Sequence, residues 1–319
     1  MPKVSVIIPV YGVEKYIERC ARSLFEQTLD DMEFVFVDDC TKDNSISILK
    51  DVIKDYPDRK EQIKILHHAV NKGLSHARET GINAATGEYI AHCDSDDWVE
   101  KEMYAELYCY AIAGEYDYVK CSHRKSDGNK ILAIMHPYAN SNMSIHDARH
   151  YVYHFCGWNS IWDTLVKKDV YERADLEYTD VPMLEDMFVT SQLLNYASSV
   201  LLVRKVYYNY FINPDSICRV PGANAVINRT RQAKQNLDKI ISRSYKNENS
   251  NLTKKDIVVA KWGVKNILIP IMDDKKNRNI WHEIYPELDW QLLFTSKVSI
   301  HNKIRYYSAV FNFYKYFKR

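Results

Sequence analysis

Val4–Val10 reads Val-Ser-Val-Ile-Ile-Pro-Val, a β-branched run with no regular polar alternation. A strand with one solvated face alternates, so this one is covered on both faces, as strands of parallel sheets are. Parallel neighbours need long crossover connections, and the chain supplies them. A helix is expected over 14–27, with Ile17, Ala21, Leu24 and Phe25 on one face. Then come a strand over 33–37, a helix over 44–56, a strand over 63–66, a helix over 74–85 and a strand over 89–93. With right-handed crossovers this alternation specifies an α/β fold, a doubly wound and mostly parallel sheet with helices on both faces. Ligands on such sheets bind at the carboxyl ends of the strands. The acids fall there: Asp38 and Asp39 close the second strand, and Asp94, Asp96 and Asp97 close the fourth.

In an extended chain Asp94 and Asp96 would share a side and Asp97 would take the other. Two carboxylates aimed at one spot repel unless a cation lies between them. Hard divalent ions are commonly held by one or two carboxylates plus substrate phosphates. An acidic turn capping the next helix is the competing reading of the triplet taken alone. Pro9-Val-Tyr-Gly is no GxGxxG, and the chain has neither a Walker loop nor a GxSxG elbow. His67 and His68 are adjacent, so their rings would face apart and mark a strand end, not a shared metal.

Past Trp98 the pattern loosens. A helix over 102–113, a strand over 116–123, a helix opening at Ser144 with Asp147 as capping partner, a helix over 184–196 and a strand over 200–211 are expected. From about Ala223 the composition turns helical and basic, dividing the chain into 1–219 and 220–319. A net charge of +1 gives no electrostatic reason for a nucleic-acid partner. The chain opens on no leader-like segment and has no run of membrane-spanning length, so a cytoplasmic protein is expected. Its 7 cysteines are scattered without CxxC spacing and read as reduced thiols.

Four segments occur in order over residues 3 to about 105: Val-Ser-Val-Ile-Ile-Pro-Val-Tyr-Gly-Val-Glu-Lys-Tyr-Ile, Phe-Val-Asp-Asp, Asn-Lys-Gly-Leu-Ser-His-Ala-Arg and Thr-Gly-Glu-Tyr-Ile-Ala-His-Cys-Asp-Ser-Asp-Asp. Together they resemble family 2 glycosyltransferases. A weaker match runs through Leu184-Glu-Asp-Met-Phe and Tyr208-Asn-Tyr-Phe-Ile-Asn-Pro-Asp-Ser to about residue 219. The resemblance implies a GT-A fold for 1–219 and inverting, metal-dependent transfer from a UDP-sugar to a hydroxyl of a glycan or lipid-linked glycan, in surface polysaccharide biosynthesis. It also implies roles for residues. Pro9, Tyr11 and Glu14 would hold uracil and ribose, and Asp39 would bond the base. Arg78 would lie near the nucleotide, with Asn71 and Gly73 shaping its loop. Asp94 would lie near ribose and metal, Asp96 would bind Mn²⁺ or Mg²⁺, and Asp186 would be the base with Glu185 in support.

The chain departs from the family pattern at three places. Gly12 stands where Asn is usual, Cys40-Thr41 where Gly-Ser is usual, and Met183-Leu184 where a small residue is common. Competing classes are a non-catalytic GT-A-like binder of nucleotide or glycan, and a nucleotidyltransferase. The latter should carry a glycine-rich, lysine-containing loop after its first strand, and Tyr11-Gly-Val-Glu-Lys is a poor version of one. The basic tail from Lys297 is expected either to lie on an anionic membrane surface or to pack on the catalytic part.

Overall fold

The computed structural model describes residues 1–136, 143–154, 159–216, 219–272 and 274–294, with 300, 303, 304, 306 and 307. The first part runs β1 (Val4–Val10), α1 (Ile17–Phe25), β2 (Met32–Asp38), α2 (Ser45–Lys54), β3 (Ile63–His67), α3 (Leu74–Ala84) and β4 (Tyr89–His92). Then follow β5 (Trp98–Val99), α4 (Met103–Ala113), β6 (Tyr118–Ser126), β7 (Ile131–Met135), α5 (Ile145–Tyr151), β8 (Thr164–Lys167) and α6 (Lys168–Ala174). The chain continues with α7 (Glu185–Tyr196), β9 (Val200–Phe211), α8 (Ala223–Lys246), α9 (Lys254–Asn266), α10 (Lys275–Glu283) and α11 (Leu288–Phe294).

One sheet holds the strands in the order β3-β2-β1-β4-β8-β6-β9-β5, with β7 on β6. The strands from β3 to β4 are parallel throughout. Beyond β4 the sheet is mixed: β8 runs antiparallel to both β4 and β6, while β6 and β9 are parallel. The switch rests on Thr164–Lys167, four residues whose strand character comes from partners on both sides.

Alternation along β1 divides its side chains between two layers. Val4, Val6, Ile8 and Val10 join α1 and α4, whereas Ile7 faces α3. At Gly81 the backbone of α3 lies directly on β1; a Cβ there would meet Cγ2 of Ile7 at 2.3 Å. The C-terminal helices pack into that same second layer, since Leu237, Val264, Trp281 and Leu288 share one apolar cluster with Ile7 and Val35. The tail beyond Lys297 lies largely outside the described residues. Of its described side chains, Ile300 and Ile304 are exposed, whereas Tyr306 is buried. Cys20, Cys40, Cys93, Cys109 and Cys121 are free thiols, and Cys156 and Cys218 lie outside the described residues. No helix of the described residues is long and apolar enough to cross a membrane.

Candidate active site

The carboxyl ends of β1, β2 and β4 form one rim, and the loops that leave them carry the expected acids. Asp94–Asp97 is a turn, closed by the Asp97 N–H on the Asp94 carbonyl at 3.0 Å. This corrects the extended geometry expected for the triplet, and side-chain direction is set by partners instead of strand alternation. Asp97 turns inward, accepting from the Tyr208 hydroxyl at 2.7 Å and the Phe211 N–H at 2.6 Å. Burial, and then the charges of Asp96 and Asp94, push its carboxyl well above the usual range.

Asp94 faces α3. Its carboxylate accepts from Arg78 at 2.8 Å, and the other arm of the same guanidinium donates to Asp186. The Arg78 side chain is 3% exposed, while Asp94 and Asp186 keep 24% and 21% of their surface. Burial alone would lower the pKa of Arg78, but Asp186 and Asp94 outweigh it and hold the guanidinium charged. One buried cation thus joins the fourth-strand turn to the start of α7, two places 92 residues apart in the chain.

Asp96 points elsewhere. Its carboxylate accepts from Asn213 Nδ2 at 2.9 Å, and its carbonyl accepts from Arg19 at 2.7 Å. Arg19 is sandwiched between the rings of Trp98 and Phe211, 3.9 and 4.8 Å from their centres. Burial, then Asp94, raises the Asp96 carboxyl above its ordinary range. Asp94 and Asp96 leave one turn but take different partners, Arg78 for the first and Asn213 for the second. Among the described residues no group of three or more His, Cys, Asp or Glu forms a cage for a cation.

Asp39 is buried. It accepts from His68 Nδ1 at 2.7 Å, from the Lys72 N–H at 2.7 Å and from the Gly73 N–H at 2.8 Å. It therefore fixes the Asn71–Gly73 loop and the entry to α3. His67 bonds Asp38 at 2.9 Å, so the two histidines serve one aspartate each, in keeping with a strand-end role. Glu14 is exposed and accepts from the N–H and side chain of Asn44 at the start of α2. Tyr11 is 52% exposed at the rim, and Pro9 is buried in β1. Glu185 and Asp186 open α7, but Glu185 makes no direct contact with Arg78 among the described hydrogen bonds. Burial, then Asp186, pushes its carboxyl up to about 8. Burial likewise raises Asp186, against the pull of Arg78. The fold thus brings Arg78, Asp94, Asp186 and Glu185 together, with Asp96 beside them. It sets Asp39 behind the rim and Glu14 at its outer edge.

All three departures from the family pattern fall on left-handed backbone: Gly12 at φ 67°, Cys40 at φ 59° and Leu184 at φ 65°. Glycine and asparagine enter that region readily, and other residues are strained there. Thr41 keeps the hydroxyl chemistry of the usual serine, accepting from the Gly12 N–H at 2.9 Å. Cys40→Gly is therefore expected to leave stability within about 1 kcal/mol, and Cys40→Val to lower it by about 1–2 kcal/mol. Denaturant midpoints of the two variants check this.

No motif in the sequence assigns a role to Arg19, Asp97, Tyr208 or Asn213. Tyr208 and Asn213 lie in the weakly matched stretch, which was their only signal. Trp162 is buried and stacks on Tyr208 at 4.4 Å.

Residues 5–160 match the family model described as glycosyl transferase family 2. The chain is 32% identical over 234 residues to the uncharacterized glycosyltransferase EpsJ of Bacillus subtilis, covering 69% of this chain and 64% of that protein. It spans less than two thirds of the length of EpsJ and of the similarly related EpsH. Among solved structures, Staphylococcus aureus TarS 1–349 in complex with UDP-GlcNAc is similar at a TM-score of 0.60 and 18% identity, over 90% of this chain and 88% of that one. The mannosyltransferase PcManGT of Pyrobaculum calidifontis, in complex with GDP-Man and Mn²⁺, is similar at 0.57 and 15%, over 96% and 79%. The fold is of the GT-A type, with a helical C-terminal region.

Proposed function

The chain belongs, through residues 5–160, to glycosyl transferase family 2, and on that premise we propose that it is an inverting, metal-dependent glycosyltransferase that moves a sugar from a UDP-sugar to a hydroxyl of a glycan acceptor. The observation that carries this reading is the pair of hydrogen bonds that Arg78 donates, one to Asp94 and one to Asp186. It sets a candidate base and the donor-side acid on opposite arms of one fixed cation. Inversion needs such an arrangement, with a base facing the acceptor while the diphosphate leaves on the other side. The TarS complex with UDP-GlcNAc supports a UDP donor, and the Mn²⁺ of the PcManGT complex supports a divalent ion. Surface polysaccharide synthesis and a cytoplasmic setting complete the proposal.

Asp94 and Asp96 would hold the cation, which supplies charge neutralisation to the diphosphate when bound. Arg78 keeps a fixed positive charge beside Asp94 and orients Asp186. Asp186 takes the proton of the acceptor hydroxyl, and Asp39 holds the loop that frames the base-binding side.

The test is UDP release from a panel of UDP-sugars with Mn²⁺ or Mg²⁺. Chelator should abolish it and added metal restore it. Asp96→Asn keeps the shape but removes a charged ligand, so metal-stimulated release should fall by about 10²-fold. Undiminished release in excess chelator overturns the metal role, and binding of UDP with no release from any donor favours the non-catalytic reading.

A further inference from the structure

Residues 220–319 carry no recognisable motif, yet one of their side chains reaches the approach to Asp186. Asn236, on α8, is fully buried. Its Nδ2 donates to the carbonyls of Val181 at 3.1 Å and Met183 at 2.7 Å. Its Oδ1 accepts from the Thr179 hydroxyl at 2.8 Å. That hydroxyl accepts in turn from the Val181 N–H at 3.2 Å. The Thr179 N–H donates to Ser75 Oγ at 3.3 Å, and Ser75 lies on α3 one helical turn before Arg78. Residues 179–184 form no helix or strand, so their buried backbone groups must find partners among side chains. Asn236 is the partner. Immediately afterwards Leu184 turns left-handed, and Glu185 and Asp186 begin α7.

We propose that Asn236 is a positioning residue for Asp186. By fixing the carbonyls of residues 181 and 183 it sets where α7 starts, and hence where the Asp186 carboxylate stands against Arg78 and Asp94. The proposal rests on the reading of Asp186 as the base. The chemistry requires an amide, because two donors and one acceptor must come from one planar group. Aspartate at this place would offer acceptors only, and leucine would offer nothing. The bonds of Asn236 all end on the segment that delivers α7, so its effect is directed at acceptor activation and leaves the donor half of the site alone. The C-terminal helices then take part in catalysis by holding the segment that delivers Asp186.

The experiment uses the full chain and measures UDP release from whichever of UDP-glucose, UDP-galactose and UDP-GlcNAc the parent turns over fastest. UDP affinity and the unfolding midpoint are measured in parallel, for Asn236→Leu, Thr179→Val and Asp186→Asn. A displacement of about 1 Å in a reacting group costs on the order of 10²-fold, so Asn236→Leu should lose about that much in kcat. Its donor KM should stay within about threefold, since only the activation of the acceptor is disturbed. Thr179→Val, which removes one arm of the network, should lose about tenfold in kcat. It carries the test if Asn236→Leu does not fold. Parent-like kcat in a folded Asn236→Leu or Thr179→Val overturns the proposal. So does a loss that resides in donor KM or UDP affinity. If Asp186→Asn releases UDP at the parent rate, the base reading itself fails, and the proposal falls with it whatever Asn236→Leu does.

Discussion

Asp186→Asn is expected to lower turnover by about 10³-fold, the range of a general base removed from an otherwise intact site. UDP should bind as it does to the parent, because Asp186 lies on the far arm of Arg78 from Asp94. The choice between the two acids that open α7 has a physical basis. Burial, then the charge of Asp186, pushes Glu185 up to about 8, which disfavours its ionised, proton-accepting form. Asp186 shares the burial, but the guanidinium touching it favours the ionised form. Glu185→Gln, which copies the protonated acid, should therefore cost much less than Asp186→Asn. Steady-state kinetics on both variants decide the matter, and a dead Glu185→Gln beside an active Asp186→Asn moves the base by one residue.

Arg78→Met should be the most damaging substitution for the fold around the site. It leaves Asp94 and Asp186 without their common cation, and removing one partner of a buried pair costs about 3–5 kcal/mol. The two aspartates retain 24% and 21% exposure, so water recovers part of that and about 3 kcal/mol is the expected loss. Arg78→Lys keeps the charge but has a single ammonium in place of a planar fork, and cannot donate to both carboxylates in the same geometry. It should remain folded yet lose activity by about 10²-fold. Denaturant unfolding of both variants, with UDP release of Arg78→Lys, tests this. A stable Arg78→Met would mean that the carboxylates need no fixed partner.

Why some of this was legible in the sequence and some not follows from how local each signal is. The parallel strands announced themselves because a strand covered on two faces must be largely apolar, and Val4–Val10 is, with Ser5 its one polar residue. Thr164–Lys167 gave no such cue, since four residues carry too little pattern and their pairing is settled by β4 and β6. The acids at strand ends were visible because topology alone puts strand ends at ligand sites. Their partners were not. That Arg78 would meet Asp186 depends on how α3 and α7 are set against each other. Asp39 is expected to bond the base, but its bonds to His68, Lys72 and Gly73, which hold its own loop, have no signature in the sequence. Asn236 lies in an unremarkable basic helix, and only the fold brings it to Val181 and Met183.

The missing side chain at Gly81 has a bearing on how this site can change over generations. Arg78 and Gly81 lie three residues apart on α3, so they share a face, and the height of the guanidinium above the sheet is set where Gly81 touches Ile7. Ile7 is an apolar residue with no chemistry of its own. Exchanging it for a smaller or larger aliphatic would lower or raise α3 by a fraction of an ångström and carry Arg78 with it. Drift in the hydrophobic interior can thus alter the spacing of the charges at the rim while every polar residue stays the same. Relatives with identical acids can then differ in rate or donor choice for reasons that a comparison of their active-site residues would not reveal.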